Sequence, residues 1–117
     1  MTPDPAKVLT VAALRAGAAL QLSDDELAQV IGVEKHAIVH FKIGQEMISV
    51  NSGAGLRCQM LIRMFRALEH LVGGDQEMCR QWLRSHNETA GGDPAEVIAN
   101  PDGLRQITEY LEANVER

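Results

Sequence analysis

Residues 23–44 read SDDELAQVIGVEKHAIVHFKIG, and their punctuation decides the fold. Ser23 and Glu26 have the spacing of a capping box: the hydroxyl meets a backbone N–H three residues on, and the carboxylate reaches back to the cap. The helix they open is short and stops at Gly32, where a positive φ is cheap because there is no β-carbon. A second helix runs from about Lys35 to Ile43 and ends at Gly44, a left-handed cap by its position. Leu27 and the small Ala28 lie on the first helix, where a small residue lets the second approach. Val33, Ile38 and Phe41 are apolar where the second must face inward. The spacing predicts a helix-turn-helix of the DNA-binding kind.

The chemistry of its outward face is weaker than its geometry. The exposed positions are Lys35, His36, Val39, His40 and Lys42. A reader of base edges usually offers Arg, Asn or Gln, and none stands here. Asp24 and Asp25, at the start of the preceding helix, repel a phosphate backbone. Two readings stay open: an operator-binding element whose DNA contacts are Lys35, His36, His40 and Lys42, or a unit kept for folding and dimerisation. Operator binding by so small a positive footprint requires a dimer or a larger complex.

Outward from this core, further helix signals are legible. Asp4-Pro5 reads as a cap followed by proline at the first helical position, starting a helix to about Gln21. After an irregular stretch closed by Asn51-Ser52-Gly53, a long helix is predicted over 54–72. Its apolar set is Leu56, Met60, Leu61, Met64, Phe65, Leu68, Leu71 and Val72, at helical spacing. Gly73-Gly74 ends it. Asp75 caps a fifth helix carrying Met78, Cys79, Trp82 and Leu83. Asp93-Pro94-Ala95-Glu96 has the form of a second capping box, and Asn100-Pro101 repeats the cap-and-proline start. The last helix carries Leu104, Ile107, Leu111 and Val115 on one face. No stretch alternates like a strand. The fold class is therefore all-α, a compact bundle of about seven helices.

Composition agrees. Of 117 residues 45% are apolar but only four are aromatic, a mix that favours helices over strands. No apolar run approaches the ~20 residues needed to span a bilayer, and no secretory signal pattern opens the chain, so a cytoplasmic location is expected. Cys58 and Cys79 lack metal-ligand spacing and are expected to be buried, reduced thiols. Residues 1–72 hold seven basic and seven acidic side chains, whereas 73–117 hold four basic and nine acidic, which accounts for the whole net charge of −5. A neutral N-terminal part and an acidic C-terminal part suggest two jobs, with the division at 72/73. Arg63, Arg66 and His70 share one side of the long helix, either as a phosphate-contacting stripe or as a solvated face.

No nucleophile–base arrangement, metal cluster or phosphate loop has a local signature. His36 and His40 are four apart but lack a third ligand. The chain therefore reads as a binding protein rather than an enzyme, with no cofactor and no metal.

The C-terminal part carries a more specific pattern. Leu71-Val72-Gly73-Gly74-Asp75, Trp82-Leu83-Arg84-Ser85-His86-Asn87, Gly91-Gly92-Asp93-Pro94-Ala95-Glu96-Val97-Ile98, Gly103-Leu104 and Tyr110-Leu111 follow in order. This run resembles the toxin-binding domain of the MbcA/ParS/Xre antitoxins, in which an Xre-like helix-turn-helix precedes it. Trp82, Asn87, Gly91, Gly92, Pro94, Gly103 and Tyr110 are the motif positions. Physically, Trp82 should anchor the small subdomain with its indole N–H on a loop carbonyl, and Asn87 should tie the loop. The resemblance implies a type II antitoxin that acts as a homodimer, represses its own operon and uses its C-terminal domain to bind and obstruct a RES-domain, NAD-consuming toxin. Glu109, Glu112 and Glu116 on the last helix are then toxin contacts, mimicking the charge of an anionic dinucleotide. The alternative is a stand-alone helix-turn-helix transcriptional regulator.

Overall fold

A computed structural model describes residues 2–115. Seven helices follow in order: α1 Pro5–Ala19, α2 Asp24–Ile31, α3 Lys35–Lys42, α4 Gly53–Leu71, α5 Gln76–Arg84, α6 Pro94–Val97 and α7 Pro101–Val115. There is no strand among the described residues, only an isolated antiparallel bridge between Asn87 and Gly92. No described helix is long and apolar enough to cross a membrane.

The caps explain where the helices begin. The Asp4 carboxylate accepts from the Ala6 N–H. Both halves of the Ser23–Glu26 box form, at 2.9 and 3.1 Å. Ser52 Oγ accepts from Gly55 N, and Asp75 from Met78 N. Gly32 ends α2 in the left-handed region at φ 76°. The box expected at Asp93 does not form. Asp93 is the N-cap of α6, but its side chain makes no capping bond; its carboxylate lies 4.0 Å from His86 Nδ1 instead, and its backbone carbonyl takes the Glu96 N–H.

α4 is the central spar. α7 packs along it more extensively than any other pair of helices, and α1, α2 and α5 pack on its other sides. One apolar core results, running from Leu9 and Leu20 in the N-terminal part through Leu61, Met64 and Leu68 to Leu104, Ile107 and Leu111. The acidic C-terminal half and the neutral N-terminal half thus share a single interior.

Two members of the apolar set predicted for α4 lie outside it. Leu56 is 60% exposed and Leu71 41%. Leu56 stands five residues from Leu61, about 140° round the helix, and so faces solvent. Leu71 has the inward phase but is the last residue of α4, at the rim of the core. Trp82 is half-buried too, because Cys79 and Leu83, four apart, take the inward line of α5. Its indole N–H makes no hydrogen bond among the described residues; the anchors of the C-terminal part are Leu83, Ile98, Leu104, Ile107 and Leu111. The two thiols are buried and separate, and burial pushes Cys58 up to about 12.

Candidate functional site

The motif positions of the C-terminal half converge on one structural problem, which is turning the chain twice between α5 and α7. Asn87 closes the first turn. Its backbone exchanges hydrogen bonds with Gly92 at 2.9 and 3.1 Å, and its carbonyl also takes the Gly91 N–H. Its side-chain oxygen accepts from Ala90 N at 3.2 Å, so one residue ties the whole loop. Gly91 and Gly92 sit at φ 87° and 151°, values that side-chain-bearing residues rarely adopt. Pro94 then opens α6 and is itself buried.

The second turn brings α7 hard against α6. A β-carbon on Gly103 would stand 2.2 Å from the Val97 carbonyl oxygen, a separation no packed structure admits. The glycine therefore lets the α7 backbone touch the end of α6, and Leu104, buried beside it, locks the contact. Asn100 caps α7 by accepting from Asp102 N at 2.9 Å. Tyr110, by contrast, is 39% exposed on α7. Among the motif positions it is the large side chain left free to meet another molecule.

The outward face of α7 also carries two of the three acids singled out by sequence, Glu109 and Glu112. Glu109 is exposed and paired loosely with Arg105 at 3.5 Å. Glu112 is gripped by Arg63 of α4, whose Nε lies 3.1 Å from one carboxylate oxygen while Nη2 takes the other. That fork holds the Glu112 carboxyl below its usual range. Glu116 lies outside the described residues. Arg63 is thus committed to α7, whereas Arg66 and His70 remain exposed on α4.

At the other end of the molecule, α2 and α3 pack together, with Leu27 and Ala28 of α2 and Ile38 and Phe41 of α3 buried. Each basic group on α3 has an acidic neighbour. Lys35 lies 3.3 Å from Asp25 and Lys42 2.7 Å from Asp24. His36 lies 3.2 Å from Glu34 and His40 3.5 Å from Glu46. The two imidazoles meet edge to face at 6.0 Å, each turned to its own carboxylate. Sequence reasoning foresaw Asp24 and Asp25 as repulsive to phosphate but not as partners of the lysines, because the pairing depends on how α3 crosses α2.

A further set of contacts was not foreseen. Arg80 Nε donates to the Ala19 carbonyl at the end of α1, 2.9 Å away. One turn on, Arg84 bonds the Gln21 carbonyl and forks onto the Glu26 carboxylate. Two arginines of α5 thereby fasten the α1–α2 junction. The i, i+4 spacing of Arg80 and Arg84 was visible in the sequence; their targets some sixty residues away were not.

Residues 67–113 match the family described as the antitoxin Xre/MbcA/ParS C-terminal toxin-binding domain. The matched segment begins in the last turns of α4, includes α5, the Asn87–Gly92 loop and α6, and takes in nearly all of α7. Among curated proteins, none matches the chain.

Proposed function

From the match of residues 67–113 to the Xre/MbcA/ParS C-terminal toxin-binding domain, we propose that this protein is an antitoxin that neutralises a RES-domain toxin that consumes NAD. The family match is the observation that carries the reading. The placement of charge supports it, because the net −5 resides in residues 73–117, and a pocket built for an anionic dinucleotide is lined with cations. A negative surface speeds encounter with such a pocket and fixes its register. Within that surface Glu109 and Tyr110 are adjacent and exposed, so they are the first contacts to test. Glu112 contributes through Arg63, which sets where α7 lies. Glu116 extends the same acidic sequence.

The test is growth and cellular NAD in bacteria induced for the neighbouring open reading frame, with and without this protein. Loss of NAD and growth that co-expression reverses supports the reading. A harmless neighbour, or harm that persists with this protein present in soluble form, overturns it.

Operator binding through α2 and α3 belongs to the same proposal as a second arm, one that requires assembly. Each lysine of α3 must leave an exposed ion pair, worth up to about 1 kcal/mol, before it meets phosphate. Two copies arranged as a homodimer double the footprint and supply the half-site geometry that such helices use. A gel-shift with the upstream region tests this arm separately.

A further inference from the structure

A groove runs between α1 and α4, lined mostly by residues that precede the segment matching the toxin-binding domain, with Glu69 and Gln76 of that segment at its border. It has a volume of about 830 Å³, room for several side chains of an incoming element. Its floor and walls are apolar. Val8 is 54% exposed and Val11 38%, and they face Ile62 and Phe65 of α4 across the groove. Isolated exposed valines are ordinary, but a contiguous apolar trough with a charged rim marks a surface made to be covered.

The rim says by what. Lys7 and Arg15 flank the valines along α1, and Arg66 stands on the α4 wall. Unlike the lysines of α3, none of these three cations forms a salt bridge among the described residues. Lys7 and Arg15 are eight residues apart, about 12 Å along a helix, with the exposed apolar positions between them. A second copy of this chain fits poorly. A two-fold axis through the middle of α1 would set Lys7 of one copy against Arg15 of the other, like charge on like charge. Nucleic acid fits poorly too, because the trough between the cations is hydrocarbon and Asp4 and Glu69 also border it.

We propose that the α1–α4 groove is a second docking site, whose occupant is an acidic amphipathic helix of another protein. Its apolar stripe fills the trough between Val11 and Phe65. Carboxylates two turns apart on that stripe's edge meet Lys7 and Arg15, and a third on the opposite edge meets Arg66. This is recognition of a helix in a groove, with anchors at i, i+3 or i+4, and i+7. The site is independent of the toxin-binding reading and is tested without a toxin.

The probe is a fluorescein-labelled synthetic helix of three heptads, with leucine at the core positions and glutamate beside them. A twin carries lysine for glutamate. Fluorescence polarisation at low salt should show the acidic helix binding the full chain at least tenfold more tightly than its basic twin. The K7E/R15E double variant should reverse that preference, and V11D should weaken both helices while circular dichroism shows the fold intact. Equal binding of the two helices, or an acidic preference that survives K7E/R15E, overturns the proposal. So does sedimentation showing that the wild-type chain dimerises and that V11D alone makes it monomeric, since the groove is then filled by a second copy.

Discussion

Arg84 of α5 forks onto Glu26 of α2 while that same carboxylate caps its own helix through the Ser23 N–H. The hydrogen bonds from Arg84, reinforced by those from Ser23, hold the Glu26 carboxyl down from 4.5 to about 2. Because the folded value lies below the unfolded one, the contribution is complete above about 4.5 and is lost as pH falls through 2. Urea denaturation should therefore show stability declining between these values, with Glu112 adding in the same direction. The E26Q variant should be less stable by about 1 kcal/mol at neutral pH, since the pair is partly exposed. Its decline in acid should be shallower. A variant with the wild-type pH profile would show that the fork contributes nothing in solution.

Gly103→Ala places a methyl group against the Val97 carbonyl oxygen. That atom belongs to the backbone and cannot swing aside, so α7 must shift. We expect a loss of about 2–3 kcal/mol, read as a lower midpoint in urea at unchanged slope. Tolerance of alanine would mean that α6 and α7 are less closely apposed than described.

Leu61→Ala and Leu56→Ala should separate sharply, although both leucines lie on the same helix. Leu61 is fully buried and Leu56 mostly exposed. Emptying the first site should cost about 2–5 kcal/mol, and the second under about 0.5 kcal/mol. Thermal unfolding of the two variants measures the difference directly.

The acids beside α3 offer a test by release. Asp24→Asn with Asp25→Asn leaves Lys42 and Lys35 without partners and removes two negative charges from that end. Non-specific DNA affinity at low salt should rise at least tenfold, with a steeper salt dependence. Fluorescence anisotropy with a random duplex reads both. No gain would count against this face as a DNA-contacting surface.

Charge reversal at Glu109 bears on the toxin. E109K should slow association with the toxin and make it less sensitive to salt, as measured by surface plasmon resonance across ionic strengths. An unchanged rate would remove Glu109 from the contact.

The helices were legible because their ends are written in local chemistry. Ser23, Gly32, Asp75 and the prolines at 5, 94 and 101 act within a few residues of themselves, and the observed bounds follow them closely. What stayed hidden depends on how distant helices meet. The demand for glycine at 103 comes from Val97 on a different helix, and the fork on Glu26 comes from α5. Leu56 and Trp82 were misplaced because apolar character predicts burial only where another element arrives to cover the side chain. At the site, the sequence pattern located the Asn87–Gly92 loop and the acidic face of α7. It could not tell that Arg63 already holds Glu112, a contact that exists only once α7 lies on α4.

That α7 seals α4 also has a consequence for turnover. The segment that matches the toxin-binding domain has no interior of its own; its buried leucines and isoleucines are housed against the spar that also organises α1 and α2. A protease that removes the acidic half leaves the remainder with an open core, and one that destroys the N-terminal half strips α7 of its support. Proteolysis of either half should therefore expose the core of the other, so that limited digestion removes both parts together rather than leaving a folded fragment.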